Sequence, residues 1–528
     1  MPRLDTYREN LLRESMIKAL ELGNLRSIVD STRIELKPIT LFLGQNSSGK
    51  STVLRTIPLF KQSLRTRSSA PVLWYGEFVD FGSIAEVKSS LSTEDRVTLG
   101  FEIPLLEVSD YRNPYTYNEV ALRDVSIRVK LSDSDGNTRT TAFELSVGDD
   151  LATFEVDARG AISSAYLNKI DVTKAMAPDR YRIASSTLIP QFIAPRKGPS
   201  QELLFSRRRS IDIGVRELIS RVSMGLDARV SQKTIASTSR KIVYSPIDDF
   251  EGKLRAANPS MISWQRHVDW MADRRSGVFE ELRLYSLLTL IPAILVSFQN
   301  QLVRSFSDSA YIGPSRATGE RYYRHQELAV DQIDAQGRNL PTFLYSLSIT
   351  QRENFSKWLE ESVGYSIQVQ KSGGHLQISL KESNGDRFHN IADMGYGFSQ
   401  VLPVLAQIWS WQHNARNSGL ASFLAIEQPE LHLHPAYQSL LADIFMQFAN
   451  SAQEGDSNRL VVETHSEALI NRLGELIYQK RLSKEAVAIY IFERPDGRSP
   501  TKVTHSSFDD SGVLSNWPVG FFSAKAKA

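Results

Sequence analysis

From Leu20 to Leu43 the apolar positions read as strand, turn, strand. Ile34 to Leu36 comes first, then Ile39 to Leu43, which runs directly into a glycine-rich turn. Thr52 to Leu64 switches to helical spacing, so strand, glycine loop and helix follow one another in the order a phosphate-binding loop requires. Between Arg96 and about Leu167 the period falls to two. Val97 to Phe101, Val125 to Leu131 and Thr141 to Val147 alternate between turns such as Ser134, Asp135, Gly136 and Asn137, which predicts an antiparallel meander. From Ala175 to Ser309 the spacing is mostly helical, with a long apolar-periodic segment from Val278 to Arg304. Its most hydrophobic part, Leu284 to Phe298, is short for a bilayer and carries Pro292, so it is expected to be a buried helix. After Tyr311 short strands and helices return through Phe492.

The pattern implies an α/β fold with a split core. Residues 1–90 and 310–528 would form the nucleotide-binding unit, 91–174 a β-rich lobe, and 175–309 a helical insertion. A chain of 528 residues exceeds one compact core and fits two to four units. The 62 basic and 60 acidic residues nearly cancel, which removes any argument for a global attraction to nucleic acid or membrane and leaves only local patches. The absence of cysteine excludes disulfides and thiolate metal sites and suits a reducing, cytoplasmic setting. Met1 to Ser15 is too charged for a secretory signal.

Four motifs carry chemistry. Gly44, Gln45, Asn46, Ser47, Ser48, Gly49, Lys50 and Ser51, followed by Thr52, spell a loop whose backbone N–H groups can surround phosphate oxygens. In it Lys50 supplies positive charge and Ser51 a ligand for Mg²⁺. Phe423 to Glu430 reads as a buried strand delivering Glu427 to its tip as the metal-side acid, with Gln428 and Glu430 beside it, although an ordinary strand with a polar turn fits the pattern equally. Leu460 to Ser466 is another apolar run, ending at His465, a residue type that is more often structural in such a place. Asp393 to Gln400 places Gly395 and Gly397 just ahead of an apolar helix, which exposes N–H groups to an anion.

In this order the four motifs resemble those of the ABC ATPases of the structural-maintenance, RecF and overcoming-lysogenization branch. The resemblance implies an ABC-type P-loop NTPase head with an antiparallel β meander and an inserted helical region, binding ATP and Mg²⁺. It makes Gly44 to Thr52 the Walker A loop, Ile426 to Pro429 Walker B, and His465 the switch histidine. Gly395, Gly397, Ser399 and Gln400 become a signature loop that covers nucleotide held by a second copy, which implies a homodimer. Arg26 matches a basic residue that reaches phosphate in this branch, and reads equally as a solvated arginine.

Ile312 to Arg316, Met394 to Pro403, Glu427 to Pro435 and the terminal Asn516, Trp517, Pro518, Gly520, Phe521 and Phe522 are similar to the compact ATPases of Septu-type and retron-associated anti-phage systems. That likeness implies an HNH-type nuclease partner and, in a retron, a reverse transcriptase with its RNA–DNA product. The stretch after His465 holds no acid cluster or HNH-like histidine set, so any cutting is expected from another chain.

Three departures bear on activity. Gln428 stands where the resemblance calls for a catalytic glutamate, and an amide cannot take a proton from water, so hydrolysis is expected to be slow, with Glu430 as a substitute base. Gly395 occupies the signature serine position. No glutamine marks a Q-loop, for which Asp80 to Ser83 is the best candidate. Two basic groups could touch phosphate or simply be solvated: Arg196, Lys197 and Arg207 to Arg209, and Arg316, Arg321 and Arg324 with Tyr322 and Tyr323. A non-catalytic scaffold stabilised by ATP and a DNA-repair ATPase acting directly on DNA are the rival readings.

Overall fold

The computed structural model describes residues 16–110, 118–177, 181–193, 213–414, 423–453, 458–494, 496 and 498–516. Strands β1 (Ala19–Gly23), β2 (Thr32–Glu35) and β3 (Ile39–Gly44) lead into helices α1 (Lys50–Leu54) and α2 (Thr56–Arg65). The two helices are nearly continuous. Pro58 has no N–H to give the carbonyl of Leu54, which accounts for the break at Arg55.

The meander follows as β4 (Val97–Asp110), β5 (Asn118–Ser134), β6 (Asn137–Val147), β7 (Asp150–Val156) and β8 (Ile162–Leu167). Their alternation buries one face, as in β6, where every second residue is buried over much of its length. β1 and β2 belong to this antiparallel sheet rather than to the nucleotide-binding core, because β1 pairs with both β2 and β4.

Helices Val215–Met224, Gln232–Ser239, Ile247–Ala256 and Ile262–Met271 precede the long α3 (Gly277–Ser307). α3 is long and apolar enough to cross a membrane, yet most of its apolar stretch is buried in the protein against α2 and the meander. One buried polar knot fixes it there. The Asp150 carboxylate, at the turn between β6 and β7, accepts hydrogen bonds from Arg283 (2.7 Å to one oxygen), Tyr244 (2.6 Å) and Asn168 (3.1 Å), and Arg283 also binds Glu280 at 2.9 Å.

The chain then returns through β9 (Ala310–Ile312), the hairpin β10 (Tyr365–Ser372) and β11 (His375–Glu382), α4 (Tyr396–Asn414), β12 (Phe423–Glu427), α5 (Pro435–Gln453), β13 (Arg459–Glu463), α6 (Glu467–Tyr478), β14 (Val487–Glu493) and β15 (Lys502–Ser506). The second sheet has the order β9-β12-β13-β3-β14-β15, parallel except for β15. Its central strands are buried on both faces, the mark of a parallel sheet between two layers. One face, with Phe42, Phe423, Val461 and Phe492, packs toward α2, α3 and the meander; the other, with Leu41, Ile426, Val462 and Ile489, packs against α4, α5 and α6. The N- and C-terminal parts of the sequence therefore share one sheet, which puts the ends of β3, β12 and β13 at the same edge. This is the α/β P-loop fold that the motifs imply.

Removing the Asp150 carboxylate leaves Arg283 buried without its main counter-charge, a change that typically costs about 3–5 kcal/mol. Asp150→Ala is therefore expected to lower urea-unfolding stability by that order, and a loss below about 1 kcal/mol, the level of an exposed pair, would contradict the role given to the knot.

Candidate nucleotide-binding site

The loop after β3 is shaped by backbone that side chains resist. Gly44 has φ 153°, Ser47 φ 60° and Gly49 φ 97°. A Cβ on Gly44 would sit 2.3 Å from the carbonyl oxygen of Phe492 in the neighbouring β14, and one on Gly49 would sit 2.8 Å from Ser27 Oγ. Both glycines are steric requirements. Thr501 braces the loop from outside by donating to the Ser48 carbonyl at 2.9 Å, while its backbone N–H bonds Ser27 O at 2.7 Å.

Lys50 opens α1 and turns back over the loop. Its Nζ donates to Gly44 O (3.0 Å) and Gln45 O (2.7 Å) and lies 3.7 Å from Glu463 Oε1. Burial lowers its pKa, and the Glu463 carboxylate works against that shift. Ser51 Oγ donates to Glu463 Oε2 at 2.6 Å.

Glu427 and Glu463 end adjacent parallel strands as direct register partners. Glu427 is 2% exposed and fully engaged: Arg55 reaches it through two bonds of 2.6 and 2.8 Å, and Tyr311 OH donates at 2.7 Å. The Arg55 guanidinium, hydrogen-bonded to this carboxylate, has its pKa pushed further up. The sequence-based role of Glu427 as metal-side acid therefore meets a carboxylate already occupied, while Glu463, which that reading passed over, is the acid facing Ser51.

Gln428 turns the chain in the left-handed region (φ 44°), with its N–H on Glu463 O at 2.8 Å, and the residue lines the cleft. Glu430 is 7% exposed, and its Oε1 accepts the backbone N–H of His465 at 2.6 Å. Burial raises the Glu430 pKa. It ties the Walker B turn to the switch loop and does not line the cleft, so the geometry lends the substitute-base role no support. His465 is half-buried, its Nε2 has no partner in the protein, and burial with the nearby Lys50 charge brings its pKa to about 4. The ring is neutral at neutral pH.

Arg26 reaches the cleft wall with φ 53°, its guanidinium 4.6 Å from the centre of the Phe81 ring. Phe81 belongs to the segment suggested as a Q-loop. Ser83 and Glu86 form a capping box there, and Glu86 and Lys88 of the next turn line the cleft. Gln62 instead turns inward, donating to Leu73 O at 2.6 Å, so it braces the 73–79 loop.

The cleft encloses about 740 Å³, within the usual range for small-molecule sites. Arg26, Lys50, Lys88 and Arg494 line it against two acids, Glu86 and Glu463, an excess of positive charge suited to a polyphosphate. The glycine cradle and a lysine held by carbonyls it can exchange for phosphate fit ATP, while His465, with its Nε2 buried and unpartnered, stands behind the cleft lining. Ser51 Oγ and the Glu463 carboxylate fit Mg²⁺, which takes oxygen ligands and is typically held by one or two carboxylates together with phosphate and water.

The signature segment lies elsewhere. Gly395 and Gly397 line a separate apolar groove with Phe398, Leu433 and Tyr437. Gly395 and Tyr396 are exposed, and a Cβ on Gly395 meets open space, whereas one on Gly397 would press on His432 O at 2.7 Å. Ser399 and Gln400 turn inward: Ser399 Oγ donates to Tyr396 O, and the Gln400 amide to Arg316 O and Ala317 O. Their part in the fold is to anchor the start of α4, so contact in trans would fall to Gly395, Tyr396 and Gly397.

Arg316 is not a surface phosphate contact. It is buried and donates to Glu427 O (2.6 Å), Gln428 O (3.3 Å) and Gln400 O (3.3 Å), joining the Walker B tip to the signature helix. Arg321 is exposed and paired with Asp393, and Arg324 is exposed on a two-residue strand. The other basic group and the terminal residues from Trp517 onward lie outside the described residues.

Residues 16–148 match a family described as an AAA ATPase domain, and 283–471 a family described as an AAA domain, putative AbiEii toxin, Type IV TA system. Residues 482–524 match a family described as a protein of unknown function. No curated protein sequence matches the chain. Among solved structures, an SMC head bound to the C-terminal winged-helix domain of ScpA is 13% identical, with 94% of this chain and 99% of that one covered and a TM-score of 0.36. The Thermotoga maritima SMC head is 9% identical (93% and 98% covered, TM-score 0.34). A Pyrococcus yayanosii Smc head with its coiled coil and joint is 13% identical (94% and 98% covered, TM-score 0.34). Strand order and loop geometry, rather than these superpositions, carry the fold assignment.

Gly44→Ala is expected to weaken binding of a fluorescent ATP analogue by at least about tenfold, since backbone strain of about 1–3 kcal/mol falls on the cradle itself. Unchanged affinity in a folded variant would mean that the loop does not hold the ligand.

Proposed function

We propose that this chain, an ATPase of the AAA/SMC-like type, is the ATP-binding and slowly hydrolysing subunit of an anti-phage defence complex, in which ATP-dependent closure of a homodimer controls a separately encoded HNH-type nuclease. What supports the dimer reading is that the phosphate loop and the glycine segment sit in separate clefts of one molecule. The Walker A loop, Gln428 and Glu463 line one cleft, while Gly395 and Gly397 line another groove on the same molecule. Exposed Gly395 precedes α4 and half-buried Gly397 lies in its first turn, where backbone N–H groups have no partner within the helix, which suits closure over phosphate presented by a second copy. The defence context is supported by the sequence resemblance to Septu-type and retron-associated ATPases and is in keeping with the toxin–antitoxin description attached to one matched family.

Slow turnover follows from the acids in and around the cleft. Gln428 can orient a water but cannot deprotonate it, and Glu430, one of whose oxygens accepts from the His465 amide, does not line the cleft. Bound Mg²⁺ would screen phosphate charge and polarise the transferred group. The protein's own contribution is to shape the loop with its glycines and to place Lys50 where it can leave two carbonyls for phosphate. A slow cycle gives a long-lived closed state, which is what a timer over a nuclease needs.

ATP is expected to convert monomer to dimer in sedimentation or light scattering, and Lys50→Ala to abolish that shift. Gln428→Glu is expected to raise turnover by roughly 100-fold or more, the usual worth of general-base assistance. A chain that binds ATP and protects cells from phage equally well with turnover blocked would favour the scaffold reading instead. Salt-dependent DNA binding by the chain alone would favour the repair reading.

A further inference from the structure

We propose that Glu463, rather than Glu427, is the carboxylate that receives the divalent cation, with Arg55 holding Glu427 out of the cleft. The inference rests on the ATP-binding reading above and goes beyond it by assigning the metal's protein ligand.

Three observations meet here. First, Glu463 lines the cleft together with Ser51, and Glu427 does not. Second, Ser51 Oγ and Glu463 Oε2 are 2.6 Å apart. Two neighbouring oxygens on an octahedral Mg²⁺, each at 2.0–2.1 Å, stand about 2.9 Å apart. The ion therefore needs this pair to open by only a few tenths of an ångström, with the hydroxyl proton turning away. Third, every hydrogen bond on the Glu427 carboxylate is already directed elsewhere: both oxygens to Arg55, and Oε1 also to Tyr311. Turning Glu427 to a metal would strip Arg55 of its buried partner, whereas Glu463 gives up one serine hydrogen bond and a 3.7 Å approach to Lys50, which keeps two carbonyl partners.

The arrangement has a simple geometric origin. Ser51 and Arg55 are four residues apart and so fall on one helical face, about 6 Å apart along the axis. Adjacent strands are about 4.8 Å apart. A helix laid across the strand ends thus sets Ser51 over Glu463 and Arg55 over Glu427, dividing the two acids between a metal role and a positioning role.

The test measures metal binding rather than turnover. Affinity for a fluorescent, non-hydrolysable ATP analogue is compared in Mg²⁺ and in EDTA, and bound Mn²⁺ is counted by electron paramagnetic resonance with the same analogue present. The wild type is expected to bind nucleotide at least about tenfold more tightly with metal. Glu463→Gln is expected to lose that gain and the bound Mn²⁺, Glu463→Asp to recover part of both, and Glu427→Gln to retain both. Loss of the metal response in a folded Glu427→Gln, or its retention in Glu463→Gln, overturns the assignment. Should Glu427→Gln fail to fold, Tyr311→Phe answers the same question. It removes one of the two hydrogen bonds on Glu427 Oε1 and is expected to leave the metal response unchanged; a stronger response would identify Glu427 as the ligand and overturn the assignment. A wild type that binds no nucleotide with or without metal overturns the ATP-binding reading itself, a result distinct from any difference among the variants.

Discussion

Two carboxylates stand side by side at the ends of adjacent parallel strands, and the site is built around neutralising them. Glu427 and Glu463 are register partners, both nearly buried, and neither could stay ionised there alone without a heavy desolvation penalty. The start of the loop helix answers both. Arg55 closes on Glu427 through a two-bond fork, and Lys50 with Ser51 closes on Glu463. The glycine loop must then pass through the narrow space between Phe492 and Ser27, because the helix behind it is pinned by charge to the strand ends.

This pairing also sets the behaviour of the turns beyond the strands. With Glu427 held from the helix side, the chain reverses at Gln428 in a left-handed turn and drops Glu430 onto the His465 amide. The switch loop is thus tied to the Walker B turn by one buried hydrogen bond, and the histidine ring stays uncharged through burial and the nearby Lys50 charge. Lys50 is the movable member. Its bonds are to two carbonyls and a more distant carboxylate, so a phosphate can replace them without leaving a buried charge alone, whereas Arg55 has no comparable exchange available.

What could be read from the sequence follows from how local each signal is. The phosphate loop is legible because its glycines, lysine and serine are contiguous and their spacing is itself the geometry. The meander is legible because two-residue alternation is a property of each strand alone. The membership of β1 and β2 in that meander was not legible, since it depends on β4, more than seventy residues further on. Glu463 carries no local mark either: it reads as the polar end of an apolar run, and its role appears only when Ser51 is brought 2.6 Å away. Arg55 looks like any helical arginine until its partner, 372 residues distant, is in place. Arg316 was grouped with a basic patch by proximity in sequence, and only the fold reveals that it is buried.

Arg316 also bears on how two nucleotide sites could influence each other. Within one molecule its guanidinium holds the carbonyls of Glu427 and Gln428 on one side and that of Gln400 on the other. Burial lowers its pKa to about 10, which leaves it charged at neutral pH, and its two terminal nitrogens bind carbonyl oxygens rather than carboxylates. Such bonds are directional and fix backbone positions, so a shift of the Walker B turn is carried to the first turn of α4 by a rigid planar group. In a dimer of the proposed kind, the turn belongs to a molecule's own nucleotide cleft and the helix start to the cleft of its partner. A change at one site would then reach the other through a single buried side chain, without any rearrangement of the sheet between them.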